Sequence, residues 1–247
     1  MSTQQRRIAP SEVDFSRLLP LGVQGSSRMR SFQPNNGNTF SATDNVINIP
    51  LNSTGWLDAQ HSYLTFTAAL TGTGNVGFDG GAQALIRTLR LIGSNGEVLE
   101  EIQNYNVVQA AFSDLQCSED HTSSHLNAME RHTATPGIPV VAGAASYNTS
   151  LKLMSALLNC GKYLALGWLS GGGLSIEITL APNADALTQA AGNTDGAYTL
   201  TNVRYNAQIV ETSQDFNEAF TSLLQSQGGV QFHGVTPRVF HPTLPVV

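Results

Sequence analysis

Lys162-Tyr-Leu-Ala-Leu-Gly-Trp-Leu-Ser-Gly-Gly-Gly-Leu-Ser-Ile-Glu-Ile-Thr-Leu180 passes from an apolar run through a glycine hinge into an alternating segment. Leu174, Ile176, Ile178 and Leu180 share one face, while Ser175, Glu177 and Thr179 share the other. A period of two with one apolar face is the pattern of an antiparallel strand that packs on a core and shows its back to water. The chain therefore reads as a β protein first. Neither this segment nor its surroundings supplies a nucleophile, a paired acid and base, or a phosphate-cradling loop, which points towards a shell or scaffold.

Six further segments carry strand patterns. Val46 to Leu51 is short; Tyr63 to Leu70 places Leu64, Phe66 and Ala68 on one face. Ala84 to Ile92 puts Leu85, Arg87, Leu89 and Leu91 on one side and Ile86, Thr88, Arg90 and Ile92 on the other. Ser94-Asn95-Gly96 then breaks the pattern before Glu97 to Ile102, and Asn-Gly favours the positive φ angles of a tight hairpin. Tyr147 to Met154 and Tyr198 to Val210 complete the set, giving about eight strands with long loops, the count of a jelly roll. Between them, residues 104 to 116 change period, with Val108, Ala111, Phe112 and Leu115 spaced for one helix face. Cys117 to Ala145 reads as a long polar excursion. At the far end, Thr212-Ser-Gln-Asp215 opens a helix carrying Phe216, Phe220, Leu223 and Leu224, closed by Gly228-Gly229. Val230 to Gly234 looks like a new strand. The expected fold is an all-β, eight-stranded jelly-roll sandwich with one or two short helices: an extended N-terminal arm over 1–44, the jelly-roll domain over 45–212, and a helix and tail over 213–247.

Composition narrows the function. A chain of 247 residues is ample for one core. Only 12% of its residues are charged, against roughly 25% in an average soluble domain. A polar but weakly charged surface suits a subunit that buries its flanks against copies of itself. Within the net charge of −6, the first thirty residues hold Arg6, Arg7, Arg17, Arg28 and Arg30 against Glu12 and Asp14, so this arm is +3 while the rest is −9. Arg6, Arg7, Arg28 and Arg30 are accordingly the candidate genome- or membrane-facing residues, with pairing to a neighbouring subunit as the other use. Cys117 and Cys160 make neither a disulfide framework nor a zinc spacing, and are expected to be buried free thiols. No secretory pattern and no apolar run of about 18 residues is present, so synthesis in a cytoplasm is expected.

At this point the order of features resembles the capsid jelly rolls of icosahedral viruses, and more closely the first jelly roll of double-jelly-roll major capsid proteins. The residues that carry the resemblance are Gly37-Asn-Thr-Phe40 leading into Val46-Ile-Asn-Ile-Pro50, Leu57 to Phe66, Ile86 to Ile102 with Tyr105-Asn106, Lys162 to Leu180, and Tyr198 to Arg204. It spans roughly residues 37 to 212 as a set of loose patterns. The resemblance implies an outer-shell protein of a tailless DNA virus, made in host cytoplasm and residing in the virion, with copies of itself and other capsid proteins as partners. Genome nucleic acid or an internal membrane would be met through the N-terminal arm. In that family a second barrel would begin near residue 230. The chain reads either as one part of such a protein or as a single jelly roll whose tail packs on a neighbour, and the first reading is the favoured one.

Residues that could carry chemistry each have a simpler use. His121 and His125 would share a helix face as metal ligands do, yet with His132 they sit among Ser, Thr and Asn without the intervening Glu of a metalloprotease, which reads as a solvated loop. Glu100 and Glu101 are adjacent in a strand and point to opposite faces, so they make no acid/base pair. Gly171-Gly-Gly173 precedes a strand and lacks a helix dipole. Trp56 and Trp168 could stack on sugar, although anchoring a core or interface is the commoner use of indole. Ser41, Ser155 and Ser213 sit in no elbow motif. No catalytic residue, cofactor or metal site is assigned and an enzyme is not expected. A structural capsid subunit is the favoured function, with a β-sandwich carbohydrate-binding module as the alternative.

Overall fold

Thirteen strands, all antiparallel in their pairings, build the described part of the chain. The computed structural model describes residues 25–121, 129, 141–142, 145–169, 173–189, 192–228 and 234–238. In chain order the strands are β1 (Gly25–Phe32), β2 (Thr39–Ser41), β3 (Val46–Leu51), β4 (Trp56–Thr71), β5 (Asn75–Phe78), β6 (Ile86–Gly93), β7 (Val98–Gln103), β8 (Val141–Ala142), β9 (Ala145–Leu151), β10 (Leu164–Ala165), β11 (Leu174–Leu180), β12 (Leu187–Gln189) and β13 (Ala197–Thr212). Helical segments are α1 (Tyr105–Gln116), the single turns α2 (Glu119–His121) and α3 (Asn183–Ala186), and α4 (Gln214–Gln227).

One sheet runs β1-β13-β4-β10, with β2 also on β13 and β9 also on β4; the second runs β3-β11-β6-β7; a small third sheet runs β12-β5-β8. The first two enclose a single apolar core, as a jelly-roll sandwich requires. β11 sits inside its sheet between β3 and β6, and Leu174, Ile176, Ile178 and Leu180 are at most 2% exposed. Burying these four side chains contributes on the order of 6–12 kcal/mol before chain entropy opposes it.

Two bulges explain where simple alternation fails. Between Asn206 and Gln208 the β13–β4 ladder slips, so Tyr63 and Asp58 of β4 stand opposite those two residues. The slip sets both Leu57 and Leu64, seven residues apart, into the core. Ser62 holds the slip, its hydroxyl donating to the Asp58 carbonyl at 2.6 Å and accepting the Gln208 N–H at 3.0 Å. The strand expected to begin at Tyr63 therefore begins at Trp56. A second bulge lies between Thr201 and Arg204, with Asn202 in the left-handed region at φ 54, a conformation that Asn tolerates better than most residues. It lets Leu200 and Val203 both face inward.

The structure corrects four expectations. The arm expected over 1–44 is in its second half part of the sandwich: β1 pairs with β13 over eight residues, and Phe40 of β2 is 1% exposed in the core. A pattern of burial cannot reveal β1, because it is exposed on both faces. Residues 1–24 lie outside the described residues. Ala82–Leu85 forms a buried 3-10 turn, and the β11–β6 ladder slips between Thr179 and Leu180, so Ile86 faces the core while Arg87 is exposed. Helix α1 packs Tyr105 and Val108 inward, leaving Ala111, Phe112 and Leu115 on its exposed side. Cys117 and Cys160 are free, as expected, but half-buried rather than buried.

The hairpin after β6 has a three-residue loop, with the Gly93 N–H donating to the Glu97 carbonyl at 2.8 Å. Gly96 takes the positive φ, 84°, that the loop needs and Asn95 does not. Helix α4 ends at Gly228, φ 72°, whose N–H donates to the Leu224 carbonyl. The strand expected over Val230 to Gly234 falls, but for Gly234, outside the described residues.

Candidate interaction surface

The arginines of the expected arm divide into two pairs. Arg28 and Arg30 lie on the edge strand β1, while Arg6 and Arg7 lie outside the described residues. Arg28 forms an ion pair with Glu211 across the β1–β13 ladder. Arg30 donates to the Ser53 hydroxyl at 3.3 Å and stands 5.4 Å over the Phe32 ring. Both have partners within the chain, so β1 presents fewer free cations than its sequence alone promises.

Behind the core, the solvent face of the larger sheet is carpeted with neutral polar groups. Thr67 donates to Asn148 Oδ1 at 2.9 Å and Asn206 Nδ2 donates to the Thr65 hydroxyl at 2.9 Å, tying β4 to β9 and to β13. Here a shallow depression of about 450 Å³ is lined by Thr65, Thr67, Asn148, Ser150, Asn202 and Arg204 among others. On the smaller sheet Arg90 bridges Glu101 at 3.1 Å and Glu177 at 3.2 Å across three strands. Those hydrogen bonds raise the Arg90 pKa, Glu101 contributing most. Gln103, and then Arg90, hold the Glu101 carboxyl below its ordinary range. Arg90 offsets one of the two carboxylate charges, and this trio carries a net charge of about −1.

Apolar side chains are also exposed on the edge strand of the smaller sheet and on helix α1. Helix α1 turns Val107 and Leu115 outward at 53% and 85% exposure, and Val98 and Leu99 stand out of the edge strand β7. Two exposed apolar groups on an edge strand and a helix with an apolar outer stripe are features of surfaces that meet another protein.

The remaining candidate residues serve the architecture. Trp56 and Trp168 lie 5.5 Å apart, and Phe220 of α4 stands edge-on to both at 4.6 and 5.5 Å. Their indole N–H groups donate to Thr212 at 3.2 Å and Thr221 at 3.0 Å. The cluster holds α4 against the sandwich, and this is what both indoles do. Glu100 and Glu101 do point to opposite faces. Glu100 is only 8% exposed, and its carboxylate accepts hydrogen bonds from the Ser155 hydroxyl (2.6 Å), the Ala156 N–H (2.8 Å), the Leu157 N–H (3.0 Å) and the Thr236 hydroxyl (2.9 Å). Sequence reasoning missed this clamp between β7, the 155–158 turn and the tail. Its signal was parity: Glu100 alternates with Ile102, which faces the core. His121 is exposed at the end of α2, whereas His125 and His132 lie outside the described residues. Among the described residues, no group of three or more His, Cys, Asp or Glu side chains could hold a metal, and no helix is long and apolar enough to cross a membrane.

Burial pushes the phenols of Tyr198 and Tyr205 up, and Tyr198 donates its hydroxyl proton to the Ala181 carbonyl. Both are neutral core anchors. No family model matches the sequence, and no curated protein does. Solved structures do. The chain is similar to the PBCV-1 virus capsid at 14% identity and TM-score 0.54, over 83% of this chain and 47% of that one. It is similar to the Faustovirus major capsid protein at 9% identity and TM-score 0.55, over 89% and 59%. PBCV-1 VP54, fitted into a reconstruction of the virophage Sputnik, gives 13% identity and TM-score 0.51. The chain thus spans about half the length of the structures it matches, and at these identities the likeness is one of fold: it has the jelly-roll architecture of viral capsid chains.

Proposed function

We propose that this chain is a structural subunit of an icosahedral virus capsid, a major capsid protein or part of one, that self-assembles into the shell of the virion. The observation that carries the reading is the fold likeness over more than four fifths of the chain to capsid proteins of two viruses. The surface supports it. Few charges, a neutral polar sheet face and the exposed Val98, Leu99, Val107 and Leu115 suit flanks that meet other copies and other capsid proteins. A scaffold of this kind calls for no catalytic constellation, and the role is structural rather than enzymatic. The carbohydrate-binding alternative loses its main support, because Trp56 and Trp168 stack on each other and on α4 rather than lining a free platform. Arg6 and Arg7 keep their assignment to nucleic acid or a membrane surface.

Light scattering and negative-stain electron microscopy of the purified chain in near-physiological salt test the proposal. Trimers, pentamers, hexamer-like units or closed particles are expected. A stable monomer at high concentration would overturn it.

A further inference from the structure

β1 is bound to the sandwich almost entirely through its backbone. Its eight residues pair in unbroken register with β13, from Gly25 opposite Thr212 to Phe32 opposite Tyr205. Side-chain ties add Arg28 to Glu211, Ser27 to Gln208 and Arg30 to Ser53. Six of the eight residues are nevertheless exposed, only Arg30 and Phe32 are partly covered, and Phe32 alone packs against the core. Removing the strand from its place would uncover very little apolar surface.

The chain just after β1 is firmly pinned. The Asn35 N–H donates to the Asn48 carbonyl at 3.0 Å, Asn36 Nδ2 donates to the Val46 carbonyl at 2.8 Å, and Asn36 Oδ1 accepts the Asn48 N–H at 3.0 Å. Beyond that anchor Phe40 is buried and β2 rejoins β13 at Thr199 to Thr201. Between the paired strand and the anchor stand only Gln33 and Pro34. Proline fixes its own φ and biases the preceding residue to extended backbone, so this link is short and stiff. A rotation there carries β1 as one body. The link and the residues after it border a cavity of about 340 Å³, whose other wall is Thr201 to Arg204 at the bulge, so the core contact that such a rotation gives up is that of Phe32.

We propose that β1 is an exchangeable strand: on assembly, residues 25–32 of one copy pair with the β13 edge of a neighbouring copy in the register they hold here within one chain. The inference rests on the reading of the chain as a self-assembling subunit. A second copy offers the same β13 edge, the same Glu211 and Gln208 and the same Ser53, so each hydrogen bond and ion pair broken within the chain re-forms between chains. Exchange of an identical element is for that reason a low-cost route to linking copies, and a short hinge favours it.

Met29 and Gln208 stand opposite each other in the ladder, where facing Cβ atoms lie about 4.5–5.5 Å apart, close to the separation that a disulfide spans. Chains carrying Met29→Cys are co-produced with chains carrying Gln208→Cys, both on a Cys117→Ser, Cys160→Ser background, and the assembled fraction is oxidised. Exchange yields a band of twice the chain mass on a non-reducing gel, absent when either variant is made alone. The doubly substituted chain is oxidised in parallel and links between copies. Assemblies whose co-produced chains stay unlinked, while the double variant closes its bond only within the chain, would overturn exchange and leave the capsid reading standing. A chain that never assembles and links only to itself would overturn both.

Discussion

β11 and β1 are paired along their whole lengths, yet they stand at opposite ends of the stability scale. β11 has neighbours on both edges and sends four side chains into the core at no more than 2% exposure. β1 has one neighbour, β13, and its one core contact is Phe32. Since a hydrogen bond traded with water contributes only about 0.5–1.5 kcal/mol net, pairing positions a strand while burial decides how tightly it stays. The same chain thus holds a strand it cannot lose and one it can lend.

Substitutions at four places in the fold break or sharpen this contrast. The largest effect belongs to Ile178→Asp, which buries an unpaired carboxylate between the sheets. A cost of several kcal/mol consumes much of a typical ~5–15 kcal/mol stability, so soluble yield should collapse. Thr179→Asp, on the solvent face of the same strand, should fold with a near-normal thermal midpoint. Equal behaviour of the two would show the register of β11 to be misread.

Next comes Glu100→Ala, which strands the Ser155 hydroxyl and the Ala156 and Leu157 N–H groups without their acceptor. A loss of about 2–4 kcal/mol is expected in denaturant unfolding, with Glu100→Gln in between. A loss below that of any surface variant would mean that water replaces the clamp freely.

Phe220→Ala removes the ring that stands edge-on to both Trp56 and Trp168. Each aromatic pair contributes about 0.5–1.5 kcal/mol beyond its area, so about 2 kcal/mol should be lost, with a change in tryptophan fluorescence. Unchanged fluorescence would place α4 elsewhere.

The smallest effect is expected from Arg28→Ala, within the strand that packs least. An exposed ion pair contributes at most about 1 kcal/mol, which shifts the midpoint of a domain this size by roughly 2–4 °C or less. A drop comparable to that of Glu100→Ala would show that β1 belongs to the cooperative core, and the contrast with β11 would fail.

Residues whose alternation coincides with burial could be read directly. Val46 to Leu51, Leu174 to Leu180 and most of Tyr198 to Val210 are strands because apolar groups at every second position have one way to leave water. The two longer helices, α1 and α4, could be placed as well, α4 down to its glycine stop, although the inward face of α1 and the single turns α2 and α3 could not. What escaped were features that depend on partners distant in sequence. The Asp58 to Ser62 bulge puts Leu57 and Leu64 on one side only because β13 lies alongside. Glu100 is tolerated inside because the 155–158 turn and Thr236 bring their donors to it. β1 is a strand solely because β13 has an open edge. Local pattern determines which segments must hide a face. Which edges meet, where the register slips and which polar groups are satisfied are properties of contacts between segments up to about 180 residues apart, and only the assembled sandwich decides them.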